Sequence, residues 1–157
     1  MESQQIITGL AAFFHNVFTV IWVGGLVMIV ITLLPSAREV FGNGPQTRDL
    51  MATVLRRHRV WVYISIVGLF ITGILQARIQ PDFHGILRFD TTYSTLTSLK
   101  HLLTFAMIAI ALMRSFVMTK KAGTASPQQN KRSFQLLFIN VFMGLLVLLI
   151  SGFLTVA

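Results

Sequence analysis

Four long apolar stretches, separated by short polar segments, dominate the chain: Ile6 to Leu34, Val60 to Ala77, Leu99 to Met118 and Phe134 to Val156. A helix needs about 20 apolar residues to cross a hydrocarbon core, and each stretch is close to or above that length. None shows the alternation over about ten residues that a spanning strand requires, and a backbone facing lipid must satisfy its own hydrogen bonds. The pattern therefore predicts an all-α integral membrane protein, a four-helix up-down-up-down bundle, with helices over about 6–34, 53–77, 94–119 and 133–156. Pro35 is expected to end the first helix, and Gly42, Gly44 and Pro45 to make the turn that follows. Gly123, Ser126 and Pro127 mark a similar break before the fourth. No segment is long and polar enough for a separate soluble domain, so residues 1–157 read as a single domain.

Composition supports lipid as the solvent. Of 157 residues 54% are hydrophobic and 11% charged, and the mean hydropathy is +0.73. The first stretch lacks a basic leader and a small-residue cleavage site, so it reads as a retained span and not a secretory signal. A net charge of +8 would suggest nucleic acid in a soluble protein; here the basic residues bracket apolar spans, so no nucleic-acid partner is expected and membrane topology explains them. Arg38, Arg48, Arg56, Arg57 and Arg59 lie in or beside the first connection, and Lys120, Lys121, Lys131 and Arg132 in or beside the third. The second has Arg78, Arg88 and Lys100. This bias puts connections one and three in the cytoplasm and both termini on the non-cytoplasmic side, in a bacterial-type inner or plasma membrane.

The candidate chemistry lies in the histidines. There is no cysteine, which excludes disulfides, thiolate metal sites and covalent c-type haem. Of four histidines, His15 and His101 fall inside spans, about nine and seven residues from the outer ends, or roughly 14 and 10 Å of rise. An ionisable side chain inside a span is a functional signal, because burying it without a partner is costly. In an up-and-down bundle, helices one and three are diagonal, with axes roughly 11 to 14 Å apart, which suits a metal between two imidazoles. A porphyrin supplies four nitrogens itself, so a bis-histidine haem b needs only these two protein ligands.

Small and aromatic residues share these faces: Thr8, Ala11, Ala12, Phe18, Thr19 and Trp22 near His15, and Ser94, Thr97, Ser98, Thr104 and Phe105 near His101. Helix two contributes Ser65, Gly68, Thr72 and Gln76. This is read as room for a flat cofactor, with Trp22 among its contacts and with Arg78, Arg88 and Lys100 placed to meet its propionates. The competing account is close helix packing through small residues, with each histidine bonded to a carbonyl.

His58, within Arg56-Arg57-His58-Arg59, reads as part of an interfacial basic cluster, and His84 as a solvated loop residue. Arg114 is expected to snorkel to the cytoplasmic surface, and Asn140 to bond a neighbouring helix. The seven methionines form no Met-x-x-Met run and read as packing or lipid-facing residues.

The string from His15 through Trp22-Val23-Gly24-Gly25 to Leu34-Pro35 resembles the first helix of copper-resistance D (CopD-like) membrane domains. Looser matches are Arg56, Arg57 and Arg59 at the start of helix two, Thr72-Gly73 near its end, and Leu99-Lys100 and Arg114 at the two ends of helix three. The pattern is also similar to haem-binding membrane proteins of the HemJ type, which implies a haem role for His15 and a counterpart for Lys100. The adjacent His101 departs from that pattern and favours bis-histidine ligation.

The leading expectation is a haem b electron carrier working with a quinone or as a subunit of a larger redox complex, and not a stand-alone enzyme. The second is a copper transport or copper homeostasis protein using His15, His84, His101 and methionines. The third is a non-catalytic accessory subunit.

Overall fold

The computed structural model describes residues 3–79, 85, 87–119 and 127–155. They form four long helices: α1 over Ser3–Phe41, α2 over Pro45–Ile79, α3 over Thr92–Thr119 and α4 over Pro127–Phe153. All four are long and apolar enough to cross a membrane, and the described residues contain no strand. Only 28% of the apolar window of α1 and 17% of that of α3 is buried within the chain. The apolar surface thus points outward, as lipid requires and water would not permit.

The chain divides into two compact units, Met1–Gln80 and Pro81–Ala157. Each is a helical hairpin, α1 on α2 and α3 on α4.

Helix α1 differs from expectation at Pro35. The helix does not end there but continues to Phe41. Proline lacks an N–H, and its ring collides with the carbonyl four residues earlier. A π-helical turn over Ile29–Leu33 lies just before it, and its wider i→i+5 bonding makes space for the ring. A second π-helical turn spans Val20–Gly24. The helix stops instead at Gly42, whose φ of 68° favours a residue without a side chain, and α2 opens on Pro45, where the missing N–H has no cost. Thr47 Oγ1 secures this turn, 2.6 Å from the Gly42 carbonyl and 3.1 Å from that of Ala37.

The start of α3 is capped reciprocally. The Thr91 amide donates to Ser94 Oγ at 2.9 Å, and the Ser94 amide donates to Thr91 Oγ1 at 3.1 Å. Ser98 Oγ donates to the Arg88 carbonyl at 2.7 Å and accepts from the Arg88 amide at 3.0 Å.

Candidate functional site

In the first hairpin the polar face of α2 meets α1. His15 Nδ1 lies 2.9 Å from Thr72 Oγ1. A hydroxyl has one proton, and that of Thr72 points to the Gly68 carbonyl at 2.7 Å, so Thr72 accepts and His15 Nδ1 donates. The lone pair of the imidazole is then on Nε2. One turn nearer the start of α1, Gln76 Nε2 donates to the Ala11 carbonyl at 3.3 Å, a second polar tie between the same helices.

His101 reaches the same tautomer by another route. Its Nδ1 is 2.7 Å from the Thr97 carbonyl; a carbonyl can only accept, so Nδ1 carries the proton and Nε2 the lone pair. A second hydrogen bond that fixes which nitrogen is basic is the usual support of a metal-binding histidine. His15 belongs to the first unit and His101 to the second.

Several spaces expected to receive a cofactor are already in use. At Gly68 the Phe18 ring packs so closely against the α carbon that any added side chain would collide with it. Ser94 and Ser98 are buried, but by holding the start of α3. Trp22 is buried in the first hairpin, at 2% exposure. Arg88 pairs with Asp90 at 3.3 Å, with both side chains more than half exposed. Arg78 is exposed in the last turn of α2, where a cation complements the helix dipole. Lys100 is half-buried, and its carbonyl accepts from Thr104 Oγ1 at 2.9 Å.

His58 was expected to face headgroups, yet its ring lies against Gly25 of α1; a Cβ at Gly25 would come within 3.0 Å of His58 Nδ1. Gly24 has only a Val20 methyl nearby, at 3.7 Å, so Gly25 is the member of the pair that must lack a side chain. Sequence reasoning placed His58 by its basic neighbours and missed this contact, although the Gly-Gly step was the available signal.

Arg114 is 8% exposed, and its Nε has no hydrogen-bond partner among the described residues. Asn140 is also buried, and its Oδ1 likewise has no such partner. His84, Lys120 and Lys121 lie outside the described residues. Among the described residues, no group of three or more His, Cys, Asp or Glu could hold a metal ion.

The family model for copper resistance protein D matches residues 52–154. The chain belongs to the CopD family. That match covers most of α2 and all of α3 and α4, whereas the His15–Gly25 string that carries the resemblance in the sequence lies on α1, outside it. No curated protein and no solved structure matches the chain. With four apolar helices, the protein is an integral membrane member of this family.

Proposed function

We propose that this CopD-family chain handles copper in the membrane, with the copper ion as its substrate and His15 and His101 each offering Nε2 as an imidazole ligand. The observation that carries the reading is the copper resistance protein D match over residues 52–154. The donor chemistry agrees with it, since imidazole is a good copper ligand and both histidines hold their proton on Nδ1. Both termini lie on the non-cytoplasmic side in this proposal, which puts the two histidines in the outer half of the bilayer.

The deciding experiment is to measure copper and iron in detergent-purified protein and to follow Cu(I) uptake into vesicles that contain it. Copper bound at about one ion per chain, and lost with His15→Ala or His101→Ala, supports the proposal. Copper-free protein that moves no copper refutes it.

One observation favours a second reading. Both candidate ligands present Nε2, and a b-type haem needs only two protein donors because the porphyrin supplies the rest. The described residues hold no three-ligand group for a bare ion. In that reading His15 and His101 would offer imidazole ligands to a haem, Arg78 and Lys100 would meet its propionates, and the haem would supply one-electron chemistry with a quinone or a redox subunit as partner. A kinship with HemJ-type proteins belongs to this reading. An absorption spectrum with and without dithionite separates the two: a reduced α band and a Soret shift, with iron in place of copper, replace the first reading by the second.

A further inference from the structure

The first hairpin contains two buried polar atoms that its own hydrogen bonds do not serve. Trp22 is 2% exposed and Ser65 fully buried, and neither Trp22 Nε1 nor Ser65 Oγ has a hydrogen-bond partner among the described residues. Such groups are rare because burying them unpaired costs free energy. Ser65 differs in this from four threonines of the chain. Thr8, Thr19, Thr72 and Thr104 each donate to the carbonyl four residues earlier, the common resort of a hydroxyl on a membrane helix.

The two atoms share a face. His58, Ser65 and Thr72 recur every seven residues on α2, which is two turns with a drift of about 20°. Both outer members meet α1, His58 at Gly25 and Thr72 at His15, so Ser65 between them faces α1 as well. On α1, Trp22 follows Phe18 by one turn and precedes Gly25 by another; these two residues pack on Gly68 and His58.

They also share a depth. The helices are antiparallel, with His15 beside Thr72, Phe18 beside Gly68 and Gly25 beside His58. Ser65 therefore lies opposite the turn between Phe18 and Trp22. Helical side chains lean toward the N-terminus of their own helix. The indole thus leans toward the Ser65 level, and the Ser65 hydroxyl leans toward the Trp22 level.

We infer that this layer of the hairpin binds an internal water molecule that bridges Trp22 Nε1 and Ser65 Oγ. The donor set fixes the class of ligand. An indole N–H only donates, so the occupant presents a lone pair, which excludes a metal cation at this point. Water accepts from the indole and donates to Ser65 Oγ. Buried waters commonly make about three hydrogen bonds, and the Val20–Gly24 π-helical turn, which contacts α2, supplies a carbonyl loosened from regular α-helical bonding. The inference goes beyond the copper proposal: the hairpin interior between the His15 and His58 levels holds a neutral molecule and carries no cation.

The test uses the full chain in detergent with ¹⁵N-indole tryptophan and Trp61→Phe, so that Trp22 alone reports; the sequence has two tryptophans. The expected result is a downfield indole proton with a dipolar cross-peak to a long-lived water. Ser65→Ala should move that resonance and weaken the cross-peak. An indole proton at a non-hydrogen-bonded position, without a water cross-peak, overturns the site. A resonance that Ser65→Ala leaves unchanged overturns the bridge. If Ser65→Ala does not fold, the cross-peak in the Trp61→Phe protein decides the water and Ser65→Thr decides the bridge. Copper content of the same samples is read independently, so failure of one proposal does not imply failure of the other.

Discussion

Thr72 sets the proton position of His15: its Oγ1 accepts from Nδ1 at 2.9 Å because its own proton is given to the Gly68 carbonyl at 2.7 Å. This histidine is thereby held with its proton on Nδ1 and its basic lone pair on Nε2.

Thr72→Val removes that acceptor at nearly constant volume. Loss of such a supporting hydrogen bond weakens a metal site by about 10- to 100-fold. Titration of the purified protein with Cu(I) in competition with a chromogenic chelator should show a fall of that size, and Thr72→Ser should restore most of it. Unchanged affinity in Thr72→Val would remove His15 from the proposed ligand set.

The glycines give a packing prediction that does not depend on the ligand. Gly25→Ala and Gly68→Ala would drive a methyl into the rings of His58 and Phe18, whereas a Cβ at Gly152 meets nothing within 4 Å. Overpacking of this kind costs about 1–3 kcal/mol. Thermal unfolding in detergent should show both hairpin variants destabilised and Gly152→Ala close to wild type.

His58 and His15 differ in level by about 15 Å, the rise of the ten residues from His15 to Gly25. His58→Ala should therefore leave metal or haem at the His15 site intact, by elemental content and by spectrum. Loss of the bound species in a folded His58→Ala protein would show the two levels to be coupled.

The charge bias of the connections yields a topology prediction. Reporters fused to either terminus should be active outside the cytoplasm and silent within it. The reverse pattern would move His15 and His101 to the inner leaflet.

Much of the fold was legible because lipid imposes one rule on every residue of a span: apolar side chains outside and backbone bonds satisfied within the helix. The face of α2 carrying Ser65, Gly68, Thr72 and Gln76 was also legible from its spacing, and three of these make direct contact with α1. Their use was not. Periodicity says which residues share a face, but not whether a gap beside glycine is left for a ligand or filled by a ring, as Phe18 fills it at Gly68. Pro35 misled for a related reason. The local rule makes proline a stop, and only the π-helical turn at Ile29–Leu33 shows how the chain carries a helix through it.

That continuation determines how far the first hairpin reaches. A helix of 39 residues is about 58 Å long at 1.5 Å per residue, nearly twice the roughly 30 Å of hydrocarbon. The apolar stretch closes at Leu34, so the seven residues to Phe41 carry the Gly42 turn about 10 Å further along the axis. The Thr47 hydroxyl clamps that turn, and α2 returns alongside it. The unbroken helix thus holds Arg38 about 6 Å beyond Leu34 along the axis. A stop at Pro35 would have left that spacing to a flexible segment, whereas the continued helix and the Thr47 clamp fix it.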